Sequence, residues 1–300
     1  MNILCIDGGG IRGIFPAQIL SRLEEEYGRA IYQYFDLIVG TSTGAIIAAA
    51  VAAEQKMDTI LDLYRSWGPK VFKQRSLGIL KSFYDHHMLK KVLQEVFGQR
   101  QLAEVSTSLV IPSVNLRVGD VHLFKSHTNP CESGKIKLWE AVLSSCAAPF
   151  YFPPYKVNHD LLMADGGLWA NNPSFVALTE AMNGFGKKIE EVKILSLGTG
   201  KQKITFDPGG EPGWGLSQWI QLKWRPFIIT PKLIDLALHV TSESITYQCQ
   251  MLLGKRMLRL NRELGKEMPI DDVGKIDDLI QLADQVYQEK QAAINAFLVH

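Results

Sequence analysis

The stretch Phe35-Asp36-Leu37-Ile38-Val39-Gly40-Thr41-Ser42-Thr43-Gly44-Ala45-Ile46-Ile47-Ala48-Ala49-Ala50 decides the fold. Leu37, Ile38 and Val39 are apolar and partly β-branched, which predicts a buried strand, and the alanine-rich run 45–53 favours helix by intrinsic propensity. Gly40-Thr41-Ser42-Thr43-Gly44 remains as the turn between them. Glycines flanking a serine let the backbone bend sharply enough for the hydroxyl to stand clear, beside the free amides of the helix's first turn. That geometry presents a serine as a nucleophile. The same five residues also suit a turn that merely lets a small-residue helix pack closely on a sheet, and the rest of the chain must decide between the two.

Upstream, the apolar strand 3–6 runs into Asp7-Gly8-Gly9-Gly10-Ile11-Arg12-Gly13, after which Ile19, Leu20 and Leu23 mark a helix over 16–27. Successive glycine amides between a strand and a helix can point into one hollow and hold an anion or a developing oxyanion. A nucleotide loop is the competing reading, but neither Gly-Lys-Ser/Thr nor Gly-x-Gly-x-x-Gly with a later acidic partner is present. If Gly8, Gly9, Gly10 and Ser42 sit at the ends of neighbouring parallel strands, one crevice holds both nucleophile and donors, an arrangement for acyl transfer.

A serine at neutral pH needs a base. Leu161-Leu162-Met163-Ala164 reads as a short strand closed by Asp165-Gly166-Gly167, where a turn-forming aspartate is the bland alternative. Ser42, Asp165 and His239 fit the residue order of an α/β-hydrolase triad. Against that template, only one strand precedes the elbow strand, and His239 falls inside the helical stretch 233–252. A dyad of Ser42 and Asp165 explains more, provided burial raises the carboxylate's basicity.

The remaining pattern predicts helices at 57–67 and 88–97, joined through a linker beginning at Gly68-Pro69. This basic and apolar region reads as a half-buried excursion, with the entrance to an acyl pocket or a lipid-facing surface as alternatives. Further strands are expected at 109–115, 121–125, 192–197 and 256–260, and helices at 138–146, 233–252 and 272–298. Between 209 and 231, Trp214, Trp219, Trp224 and Phe227 interleave with Lys223 and Arg225, a composition suited to a membrane interface, a lid or a contact between two copies of the chain. The acidic cluster Asp271, Asp272, Asp277 and Asp278 reads as helix capping. Alternation of strands and helices from 3 to 200 predicts an α/β layer structure with a mostly parallel sheet, then a helical C-terminal part.

Composition narrows the classes. Three hundred residues, 46% hydrophobic and 21% charged, fill a substantial core, and a net charge of +1 offers no field for nucleic acid. Cys5, Cys131, Cys146 and Cys249 show no Cys-x-x-Cys pair and read as free thiols of a reducing compartment. His86 and His87 lack further ligands at metal spacing, so no metal is expected. The chain opens into a strand with no basic leader, and its longest apolar run, 45–53, is too short for a bilayer, so a cytoplasmic location is expected.

Taken together, these residues resemble the patatin-like phospholipases. Asp7-Gly8-Gly9-Gly10-Ile11-Arg12-Gly13 is similar to that family's oxyanion motif, Gly40-Thr41-Ser42-Thr43-Gly44 to its elbow, and Asp165-Gly166-Gly167 to its dyad aspartate. Ala147-Ala148-Pro149, Asn171-Asn172-Pro173 and Leu195-Ser196-Leu197-Gly198-Thr199-Gly200 match further blocks in order. The resemblance implies a three-layer α/β/α fold in one domain, 1–300, with a catalytic core over about 1–200 and a helical elaboration over about 201–300. It implies cofactor-free hydrolysis of phospholipid or lysophospholipid acyl esters, with Ser42 as nucleophile, Asp165 as base, Gly8, Gly9 and Gly10 as oxyanion donors, and Arg12 supporting the loop or the lipid phosphate. Peripheral contact with the inner membrane surface, a homodimer, and a cyclic-nucleotide activator of the kind that switches on anti-phage effectors are carried as expectations. A non-catalytic lipid-binding or storage module on the same fold is the alternative, and a nucleotide-binding protein using the glycine loop is a second.

Overall fold

A computed structural model describes residues 1–73, 81–127, 135–157, 159–202, 221–224, 227–230 and 232–298. Its centre is a strand pair whose side chains alternate between two buried faces. In β1 (Asn2–Ile6), Ile3 and Cys5 point to one face and Leu4 and Ile6 to the other; in β2 (Leu37–Gly40), Leu37 and Val39 oppose Ile38. Near-continuous apolar runs are what a strand covered on both sides requires. On the Leu4 face lie α1 (Ile14–Tyr27), α2 (Thr43–Ala52) and α9 (Ile276–Leu298); on the Ile3 face lie α7 (Ser174–Asn183) and α8 (Lys232–Leu253). The result is the expected three-layer α/β/α arrangement.

Within the eight-stranded sheet the order is β10 (Met257–Leu260), β7 (Lys193–Leu197), β1, β2, β3 (Ser108–Asn115), β6 (Leu162–Asp165) and β5 (Tyr155–Lys156), with β4 (Asp120–Lys125) on the other edge of β3. The run from β10 to β3 is parallel, and β1 pairs with β2 so that Ile6 faces Gly40. The loops after β1 and β2 therefore emerge side by side. β3 pairs with β2 over Ser108, Leu109 and Val110, continues past it, and then pairs antiparallel with β6 through Ser113 and Asp165. Because β6 runs the opposite way, its last residue arrives at the carboxyl end of β2.

Two features depart from the expected outline. Helix α3 does not stop at Trp67 but spans Met57–Val71, carrying Pro69 in its last turns. A proline this close to the C-terminus removes one ladder bond, and the neighbouring Gly68 lets the helix lie close on Ile11. The C-terminal part is also not purely an addition to the core, since β10 extends the central sheet and α9 packs along α1. There Asp284 takes bonds from Gln18 and Arg22 at 2.8 and 2.7 Å, and Tyr287 donates to Glu26 at 2.6 Å. Strands β8 (Gln221–Trp224) and β9 (Phe227–Thr230) form a separate hairpin. Trp214, Trp219, Arg225 and Cys131 lie outside the described residues.

Candidate active site

Ser42 is the second of the two residues between β2 and α2, and its backbone sits at φ 55° and ψ −123°. For a residue with a side chain this conformation costs on the order of 1–3 kcal/mol and persists only where neighbours enforce it. A Cβ on Gly40 would strike the Gly44 carbonyl and one on Gly44 the carbonyls of Ile6 and Asp7, which is why both positions flanking the turn are glycine. Thr41 N donates to Ile6 O at 3.1 Å and its hydroxyl to Ala170 O at 2.6 Å. The Ser42 amide donates to Ser145 Oγ at 3.0 Å, and that hydroxyl donates onward to Pro112 O at 2.6 Å. Ser145, fully buried at the end of α5 (Leu138–Ser145), was not singled out by the sequence, where it is one small residue among several.

From this elbow the Ser42 hydroxyl donates to Asp165 Oδ2 at 2.7 Å. The carboxylate is 5% exposed; its other oxygen accepts from the Gly167 amide at 2.6 Å, and its own amide donates to Ala147 O at 3.0 Å. Burial pushes the Asp165 carboxyl up to about 6, against the lowering effect of the bonds from Ser42 and Gly167. His239, weighed as a third member, lies on α8 and is not among these partners. Cys146 lies beside the pair, and burial together with the nearby Asp165 charge raises its pKa and keeps it a thiol. Cys5, Cys146 and Cys249 are all unbridged.

The glycine loop leaves β1 through Asp7, whose amide donates to Leu197 O at 3.0 Å. Gly8 N is engaged by Asn171 O at 3.0 Å, and Gly8 O accepts from the Thr199 hydroxyl at 2.8 Å. Gly8, expected as an oxyanion donor, thus has its amide already engaged, whereas among the described residues no acceptor takes the Gly9 or Gly10 amide. Gly10 has φ 58° and lies against the Ile270 carbonyl, which also accepts from Ile11 N at 2.7 Å. Arg12 is half-buried in the 3-10 turn Gly10–Gly13, with its amide closing onto Gly9 O at 3.2 Å.

A cavity of roughly 850 Å³, open mouth included, leads to Ser42. Its walls are apolar faces at helical spacing, Ile60, Leu63 and Trp67 from α3 and Leu89, Val92 and Val96 from α4 (His87–Phe97). The two helices of the region read as a half-buried excursion thus line the cavity, while residues 74–80 between them lie outside the described residues. His86 packs there on Phe152 at 5.7 Å, and burial lowers its pKa. Among the described residues no cluster of three or more His, Cys, Asp or Glu could hold a metal ion, and no helix is long and apolar enough to cross a membrane.

Beyond this geometry, the chain as a whole is similar to known proteins. The chain is 34% identical over 257 residues to a cGAMP-activated phospholipase of Vibrio cholerae, covering 74% of this chain and 72% of that protein. It is 31% identical over 355 residues to Patatin-like protein 2 of Arabidopsis thaliana, covering 98% and 84%. The structure of VipD from Legionella pneumophila aligns with a TM-score of 0.44 at 13% identity, over 95% of this chain and 66% of VipD. The family model for patatin-like phospholipases matches residues 4–178, which hold the glycine loop, the elbow and Asp165. The chain belongs to the patatin-like phospholipase family.

Proposed function

We propose that the protein is a serine acyl hydrolase that cleaves fatty-acyl esters of phospholipids or lysophospholipids through a Ser42/Asp165 dyad. The observation that carries this reading is the 2.7 Å bond from Ser42 Oγ to a buried carboxylate raised to about 6, at the end of an apolar cavity. A base of that pKa is ionised at neutral pH yet far more basic than an exposed aspartate.

Substrate enters with its acyl chain in the α3–α4 cavity, where each buried methylene contributes about 0.8 kcal/mol. Ser42 Oγ attacks the ester carbonyl as its proton passes to Asp165 Oδ2. The Gly9 and Gly10 amides receive the oxyanion, and Asp165 returns the proton to the departing alcohol. Water then attacks the acyl-serine, giving its proton to Asp165, and the fatty acid leaves as Ser42 is reprotonated. An enzyme of this kind draws its lipid from a surface, which is the peripheral contact expected above. The name of the Vibrio cholerae relative extends the reading to activation by cGAMP.

Incubating the protein with mixed phospholipids, with and without cGAMP, and identifying released products by mass spectrometry tests substrate and activator together. Free fatty acid and lysolipid are expected from the wild type and from neither Ser42→Ala nor Asp165→Asn. Unchanged product from either variant refutes the dyad.

A further inference from the structure

Asp7, the last residue before the glycine loop, has a buried carboxylate gripped at both oxygens by Arg259. Nη1 lies 2.8 Å from Oδ1 and Nη2 2.5 Å from Oδ2, and the two side chains are 6% and 4% exposed. Arg259 belongs to β10 and is in register with Ser196 of β7, which is in register with Cys5 of β1. The guanidinium therefore reaches across a whole strand, bonding Ser196 Oγ at 2.8 Å on the way. From α8, Ser242 Oγ also donates to Asp7 Oδ2, at 3.2 Å, while its carbonyl accepts from Asn172 Nδ2 at 3.3 Å. Asn171 next to it accepts the Gly8 amide. One chain of bonds thus joins the root of the glycine loop to the turn after Asp165, through a strand and a helix that both lie beyond the residues matched by the family model.

Burying such a pair is costly, and an apolar pair filling the same space would often be as stable. What a bidentate Arg–carboxylate fork supplies is fixed geometry. A carboxylate held at both oxygens cannot turn, and the backbone of Asp7 sets the direction in which Gly8, Gly9 and Gly10 leave the sheet.

We propose that Arg259 is the positioning residue of the oxyanion loop, holding Asp7 so that the Gly9 and Gly10 amides face the carbonyl attacked by Ser42. The proposal rests on the acyl-hydrolase reading for its catalytic consequence. It assigns part of the catalytic geometry to the C-terminal strand, so that displacement of β10 disables the site without touching Ser42 or Asp165.

The test compares the full wild-type chain with Arg259→Lys, Arg259→Gln and the pair Arg259→Gln/Asp7→Asn. The pair removes both charges, leaves no unpaired ion in the core, and decides the matter if Arg259→Gln alone does not fold. Readouts are kcat and KM for a soluble short-chain nitrophenyl ester, and hydrogen exchange of amides 7–13. In the pair, kcat is expected to fall on the order of 10- to 100-fold with KM within about twofold, exchange over 7–13 to rise, and the melting temperature to stay near wild type. Arg259→Lys, which keeps the charge but loses the fork, recovers only part of kcat. Wild-type kcat in the pair overturns the proposal. So does a fall in kcat without faster exchange over 7–13, because the loss then arrives by another route. If the wild-type chain hydrolyses no ester, the acyl-hydrolase reading fails, and exchange alone decides whether Arg259 anchors the loop: faster exchange in the pair supports the anchor, and unchanged exchange overturns it.

Discussion

At the carboxyl ends of two strands of the central sheet, Asp7 just after β1 and Asp165 closing β6, lies a buried aspartate, and the two have different partners. At the end of β1, Asp7 meets the Arg259 guanidinium; burial opposes the charge on Arg259, but the carboxylate outweighs it and raises the arginine's pKa. At the end of β6, among the described residues, Asp165 has no cation against it and accepts from a hydroxyl and an amide. Burial raises both carboxyls, but a paired cation pulls against it only at Asp7. In the reading proposed above, the carboxylate paired with Arg259 is a fixed strut, whereas Asp165 takes a proton and gives it back. Low exposure does not separate the two; the partner does.

The sharpest way to break this comparison is to remove the end proposed to accept the proton. Asp165→Asn, like Ser42→Ala, is expected to lower ester hydrolysis on the order of a thousandfold or more in a steady-state assay. Next in size, Arg259→Met strands the Asp7 charge in the core and should destabilise the protein by about 3–5 kcal/mol in urea unfolding. Among the described residues Asp165 has no such cation to lose.

A third expectation concerns pH. With Asp165 titrating at about 6, kcat/KM for a soluble ester should fall about tenfold per unit below that value and level off above it. The smallest effect carries the opposite sign to the first. Because the folded pKa of Asp165 lies above its free value, its contribution to stability is greatest at low pH and is lost as pH rises through about 6. Asp165→Asn removes that penalty and should therefore stabilise the inactive protein at pH 7, by up to about 2–3 kcal/mol, as read by thermal or urea unfolding.

What the sequence disclosed about the site, and what it did not, follows from the range of the interactions. Ser42 and the glycines of both loops were legible because a positive φ and close backbone approach restrict residue choice within five or seven consecutive positions. Asp165 was legible as a carboxylate at a strand end before two glycines. Its distance from Ser42 was not, since that depends on β6 running antiparallel to β3 and meeting the end of β2. Ser145 and Arg259 were missed for the same reason. Their partners lie 103 and 252 residues away, and a serine in a helix or an arginine in a strand has no local pattern that announces a buried contact. The cavity wall was half legible: the apolar spacing of α3 and α4 was visible, but which face met which was not. Gly68-Pro69 read as a break because punctuation by glycine and proline is local, whereas α3 runs through both, with Gly68 lying close on Ile11 and Pro69 near enough the C-terminus to cost little.

The most direct test of the dyad is the rate at which a fluorophosphonate labels Ser42 as a function of pH, in wild type and in Asp165→Asn. The wild-type rate is expected to rise through an ionisation near 6, and the variant rate to be flat and lower by about a thousandfold. Labelling of Asp165→Asn at the wild-type rate, or a wild-type profile with no ionisation in that region, would contradict the assignment of Asp165 as the base.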